Sequence, residues 1–228
     1  MSHLQYKKIL PLIFVIDCSG GAAGEFMSSI NEGMHIIIAN LKNNTDEYKI
    51  KYDCEIRLTV LVYSSNARWL TCGELQSVLD FEWHDQFAAG LSNLGAALLE
   101  IQSKLSPREL LCLSEKILRP TIIYVVEGTS SDDYIKQLNC LRENNKYYSK
   151  SNKICIGFNY ADERMVGSLA EKGAHVLIAD SPDELREIIG SKIIDFLPDF
   201  MDTRAKVYAY EEKMGEVKPD GSVDDLWE

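Results

Sequence analysis

The chain has 228 residues, 46% of them hydrophobic and 26% charged, enough apolar material for one sizeable α/β core with or without a tail. Its formal net charge of -11 argues against nucleic acid or an anionic membrane as a target and favours basic protein partners or cations. Cysteines at positions 18, 54, 72, 112, 140 and 155 form no C-x-x-C pair, so zinc sites and thioredoxin-type redox motifs have no support, and scattered reduced thiols suit the cytoplasm.

Lys7-Lys8 followed by the apolar run Ile9 to Ile16 imitates the start of a secretory signal. The run is short, contains Pro11 and ends at Asp17 instead of a small-residue cleavage site, so it reads as a buried central strand. No stretch reaches the ~18 to 20 apolar residues of a membrane span. Glu25 to Asn43 carries Phe26, Ile30, Met34, Ile37, Ile38 and Leu41 at helical spacing. Glu55 to Tyr63 (EIRLTVLVY) is a strand, and Ala67 to Leu70 pairs beside it as an antiparallel hairpin after Ser64-Ser65-Asn66. Leu94 to Leu105 is a helix ended by Pro107.

Thr121 to Val126 (TIIYVV) is the clearest buried strand, followed by a helix over Asp132 to Asn144. Lys153 to Phe158 is a strand, Glu163 to Lys172 a helix and Ala174 to Ala179 the last strand. Ser181-Pro182-Asp183-Glu184 has the cap, the first-position proline and the acidic first turn of a helix start. That helix is expected to run to about Phe196, with Pro198 closing the pattern. The alternation predicts a doubly wound α/β fold, a mostly parallel sheet with helices on both faces. The domain is placed at residues 8–197 and a C-terminal tail at 198–228.

In such sheets ligands bind outside the carboxyl ends of the strands. Asp17, Cys18, Ser19, Gly20 and Gly21 follow the first strand; Gly90, Leu91, Ser92 and Asn93 precede the helix at 94. Glu127, Gly128, Thr129, Ser130, Ser131, Asp132 and Asp133 follow the strand at 121, and Asn159, Asp162 and Glu163 the strand at 153. Two carboxylates and two hydroxyls at one rim are oxygen-only ligands of the kind that suit Mg²⁺.

Three segments in order, about 70 and 35 residues apart, resemble the von Willebrand factor A (vWA) family over roughly residues 8 to 197. FVIDCSGG is similar to its D-x-S-x-S segment, GLSNLGAALLE to G-x-T-x-L-G-x-A-L, and IIYVVEGTSSDD to L-x-T-D-G-x-P-T-D-D. The order and the S-D-D ending are most similar to stand-alone bacterial vWA proteins of tellurium-resistance and stress operons. The resemblance implies a metal-ion-dependent adhesion site built on Asp17, Ser19, Ser92 and Glu127, where serine and threonine hydroxyls ligate the ion, aspartates act mainly through water and a partner's carboxylate completes the shell. It also implies a protein-binding rim that includes Gly21, Asn93, Thr129 and Asp132, bordered by the loop Glu82 to Phe87. Three positions depart from the pattern. Gly21 lacks the second hydroxyl, Ser92 replaces threonine, and Glu127 replaces aspartate and reaches one methylene further. Mg²⁺ needs near-ideal octahedral geometry, so the expectation is a degenerate site: a weak Mg²⁺ or Mn²⁺ site, or none.

An enzyme is not expected. Gly20-Gly21-Ala22-Ala23-Gly24 opens a helix but is neither G-x-G-x-x-G nor a P-loop. Ser19 stands where a phosphatase with an aspartate nucleophile would want its second carboxylate. No strand ends in the lysine of a receiver domain, the histidines at 3, 35, 84 and 175 are scattered, and G-x-S-x-G is absent. The expected role is a cytoplasmic protein-interaction module, an adaptor or scaffold. The resemblance adds a phosphatase or kinase of a stress system as partner, by analogy alone. The alternative is a structural subunit that binds through tail anchors Tyr208, Tyr210, Leu226 and Trp227.

Overall fold

The computed structural model describes residues 8–111, 116–158, 161 and 163–201. The opening apolar run forms strand β1 (Lys8–Asp17), buried along its whole length. A single 3-10 turn (Gly20–Ala22) leads into α1 (Glu25–Asn43), and α2 (Thr45–Tyr52) follows directly. Then come β2 (Cys54–Tyr63), β3 (Ala67–Trp69), β4 (Gln76–Ser77) and α3 (Leu94–Lys104). β5 (Lys116–Ile117), β6 (Thr121–Glu127), α4 (Tyr134–Asn144), α5 (Lys146–Ser149) and β7 (Asn152–Phe158) form the middle. α6 (Glu163–Leu169), β8 (His175–Ala179), α7 (Pro182–Glu187), a π turn (Ile188–Lys192) and α8 (Ile193–Met201) finish it. No described helix is long and apolar enough to cross a membrane.

The strands build one sheet in the order β3-β2-β1-β6-β7-β8, with β4 on β2 and β5 on β1. β2, β1, β6, β7 and β8 run parallel, while β3 and β4 pair antiparallel to β2. β1 lies at the switch point, since the chain winds outward from it to β2 on one side and to β6 on the other.

Alternation divides the two faces. Leu10, Leu12, Phe14 and Ile16 of β1 pack with α1, α7 and α8 in one core. Ile13 and Val15 pack with α3, α4 and α6 in the other, with Leu61, Tyr63, Tyr124 and Val126.

α8 differs from the expectation. It passes through Pro198 and ends at Met201, so helix extends past the predicted boundary at 197. An interior proline costs about 3 kcal/mol. Leu197 and Met201 are both fully buried, and His175 stacks on Phe196 at 4.0 Å with Phe200 beside it, so apolar burial offsets that cost. The predicted final helix is also not uniformly α, because a π turn interrupts it at Ile188–Lys192. The tail anchors Tyr208, Tyr210, Leu226 and Trp227 lie outside the described residues.

Candidate functional site

Asp17 is the last residue of β1 and shares the face of Ile13 and Val15, the side toward α3. Its side chain is fully buried. The Ser19 amide donates to Oδ1 at 2.8 Å; the Ser92 hydroxyl (2.9 Å) and the Tyr63 hydroxyl (3.3 Å) donate to Oδ2. Burial raises the Asp17 carboxyl above its ordinary value, opposed by these hydrogen bonds. Tyr63 lies opposite Asp17 in the β1–β2 register, and burial, then the Asp17 charge, drives its phenol well upward. Tyr63 was absent from the residues singled out in the sequence. The one signal for it is its place as the last residue of the neighbouring strand.

Glu127 ends β6, one strand over, with the parity of Ile123 and Val125, which puts it on the α1 side of the sheet. A Cβ built on Gly21 would lie 3.1 Å from Glu127 Oε2 and 3.9 Å from Ser19 Oγ. The Glu127 carboxylate therefore reaches the space that a side chain at position 21 would enter. Glu127 has no hydrogen-bond or ion-pair partner among the described residues, and its carboxyl is raised by partial burial and then by the charge of Asp17. Asp17, Ser19, Ser92 and Glu127 thus converge, Ser19 and Ser92 being buried. This all-oxygen set has the chemistry of a hard-cation site. Among the described residues no three His, Cys, Asp or Glu side chains gather as a metal cluster.

Backbone hydrogen bonds lace the rim together. The Ala89 amide donates to the Cys18 carbonyl and the Gly20 amide to the Gly90 carbonyl, both at 2.9 Å. Asn31 clamps Gln86 from both sides, its Nδ2 donating to the carbonyl (3.0 Å) and its Oδ1 accepting from the amide (2.9 Å). Gly90 has φ +82°, and a Cβ there would meet Ser65 Oγ at 2.6 Å, so the turn needs glycine.

The loop after β6 caps α3. The Leu94 amide donates to Ser130 Oγ (3.2 Å) and the Gly95 amide to Asp132 Oδ1 (3.1 Å). A carboxylate at a helix N-terminus is favourable, and a Cβ on Gly95 would strike Asp132 Oδ2 at 2.7 Å. Asp132, placed on the contact surface by the sequence, thus directs its carboxylate into the fold. Asn93 donates from Nδ2 to the Ser65 carbonyl at 3.0 Å and is half-buried. Gly21 and Thr129 are exposed. Asn159 and Asp162 lie outside the described residues. Burial and the Asp17 charge push the Cys18 thiol up to about 12, which keeps it neutral.

No family model matches the chain, and no curated protein matches it significantly. Solved structures share its fold. A von Willebrand factor type A protein from Catenulispora acidiphila aligns with TM-score 0.53 at 15% identity over 81% of this chain and 42% of its own. The pilus adhesin SpaC from Lactobacillus rhamnosus GG, in its open conformation, aligns with TM-score 0.61 at 11% identity over 86% of this chain and 31% of its own. The SpRpn10 VWA domain aligns with TM-score 0.52 at 13% identity over 79% of this chain and 93% of its own. The chain spans less than half the length of the first two.

Proposed function

We propose that this chain, built on the vWA fold, is a protein–protein interaction module, an adaptor or scaffold that is not itself an enzyme. It makes its contact through the rim at the carboxyl ends of β1 and β6. The observation that carries this reading is the convergence of Asp17, Ser19, Ser92 and Glu127 at the switch point of the sheet, where such folds place their ligands. An adhesin among the solved structures of the same fold supports a contact-making role. A divalent cation, Mg²⁺ or Mn²⁺, would be held by those four residues, weakly, because Gly21 supplies no hydroxyl and Glu127 reaches the space that a side chain there would enter.

A cytoplasmic setting is supported by buried, unpaired thiols at Cys18, Cys54 and Cys155. A phosphatase or kinase of a bacterial stress system is the partner class that the family resemblance adds.

Photo-crosslinking in cells tests the interface. A crosslinking amino acid at exposed Thr129 should trap a protein adduct, and one at Ile50, 84% exposed on α2, should not. Equal trapping at both positions, or trapping at Ile50 alone, would refute the rim as the contact surface.

A further inference from the structure

Phe87 is 88% exposed and Leu91 59% exposed, and both project from the loop that borders Asp17 and Gly21. A large apolar side chain in water loses nothing by being mobile, yet this loop is pinned. Asn31 clamps residue 86, hydrogen bonds tie residues 89 and 90 to the β1 loop, and the Leu91 amide donates to Ser65 Oγ at 3.0 Å. The two side chains are therefore displayed in a fixed arrangement, which lowers the ordering cost of binding.

Charge selects what covers them. The rim loops at 17–25, 64–66, 84–95 and 127–133 contain six carboxylates, at positions 17, 25, 85, 127, 132 and 133, and no lysine or arginine. Three of the six are engaged within the fold: Asp17 by neutral donors, Asp132 at the start of α3, and Asp85 with His35 at 2.8 Å. Glu127 has no partner among the described residues and lies close enough to the buried Asp17 for the two charges to repel. One cation borders these loops, Arg68 of β3, whose guanidinium donates to the Gln86 side chain at 3.2 Å, so Glu127 itself stays unneutralised, with apolar anchors in the neighbouring loop.

We propose that the rim receives a basic, apolar segment of a partner protein, whose guanidinium or ammonium head pairs with Glu127 beside Asp17 while its neighbouring apolar side chains cover Phe87 and Leu91. This rests on the rim being the contact surface, and it goes further: the cation at the site is brought by the partner, and binding needs no metal. Aromatic anchors and buried charge pairs are the features that dominate such interfaces.

The test is selection of a phage-displayed random-peptide library on the full chain, once in EDTA and once in excess Mg²⁺. The expected outcome is enrichment in EDTA of peptides with arginine or lysine next to leucine, phenylalanine or tryptophan. Synthetic versions should lose about tenfold in affinity to Phe87→Ala and to Glu127→Gln, and weaken as salt is raised. Phe87 is solvent-exposed, so its substitution leaves the fold intact, which circular dichroism verifies. Enrichment of acidic peptides only in Mg²⁺, lost in Ser19→Ala, would overturn the proposal while sparing the rim. Peptides indifferent to all three substitutions would overturn both the proposal and the rim. A library with no enriched peptide in either condition overturns the proposal.

Discussion

The two ends of the sheet treat buried charge in opposite ways. At the amino end, Lys153 is the second residue of β7, with its side chain 2% exposed. Its ammonium donates to Glu171 Oε2 at 2.7 Å and to the Tyr148 carbonyl at 2.9 Å, and lies 4.4 Å from the Tyr148 ring centroid. Arg142 holds the other Glu171 oxygen at 2.7 Å, and Tyr124 donates to Tyr148 at 3.1 Å. Burial pulls the Lys153 pKa down and Glu171 opposes it. Both cations of this cluster are answered by Glu171. At the carboxyl end Asp17 is more deeply buried, yet it receives only neutral donors, and the nearby Glu127 adds a second negative charge. The cluster at the amino end is neutralised within the chain, whereas the pair at the carboxyl end is not, and that is where the proposed contact lies.

The largest effect should come from the amino end. Lys153→Ala leaves the Glu171 carboxylate without its buried partner and should cost about 3 kcal/mol in urea unfolding. Peptide binding at the rim should be unchanged; if it falls as well, the two ends are not independent.

Next is the repair of the rim. Gly21→Ser with Glu127→Asp supplies the hydroxyl of the family pattern and shortens the carboxylate that a side chain at position 21 would meet. Melted in EDTA and in excess Mg²⁺, the double variant should gain about 2.7 kcal/mol at a hundredfold excess over Kd, several degrees in Tm, with a smaller or no gain for the unmodified chain. An equal gain in both proteins would mean that the native site already binds the metal well.

Asp17→Ala strands the Ser19 amide and the Ser92 and Tyr63 hydroxyls and should cost about 2 kcal/mol. Asp17→Asn keeps an oxygen for the Ser19 amide and removes the repulsion with Glu127, so it should cost less in the same unfolding experiment.

The smallest effect is in pH. Glu127 has a folded-state pKa above its unfolded one, so the folded state binds more protons between the two values, and this group's contribution to stability falls as pH rises through that window. Glu127→Gln should therefore melt higher than the native chain near neutral pH. The difference should shrink as pH falls toward the ordinary carboxylate range near 4.5. A gap that widens on acidification would mean that Glu127 is held by an unseen cation.

The sequence by itself determined the alternation of strands and helices, the hairpin after β2 and the start of α7, since each follows from residues near one another in the chain. Apolar runs make buried strands, the spacing of Phe26, Ile30, Met34, Ile37 and Leu41 makes a helix face, and Ser181 caps what Pro182 begins. It also placed Asp17, Ser92 and Glu127 at strand and helix ends, because parallel winding brings those ends to one side. α2 was not legible, as Thr45–Tyr52 buries only Tyr48 and has no apolar stripe. Nor was the passage of α8 through Pro198, where local propensity loses to the burial of Leu197 and Met201. Only the tertiary structure decided that Tyr63 shares Asp17 with Ser92, that Asp132 turns inward to cap α3, and that Glu127 reaches over Gly21. These contacts join residues from 21 and 127 to 17 and 92, and they depend on which face each strand end presents and on the register between strands far apart in the chain, which no local pattern encodes.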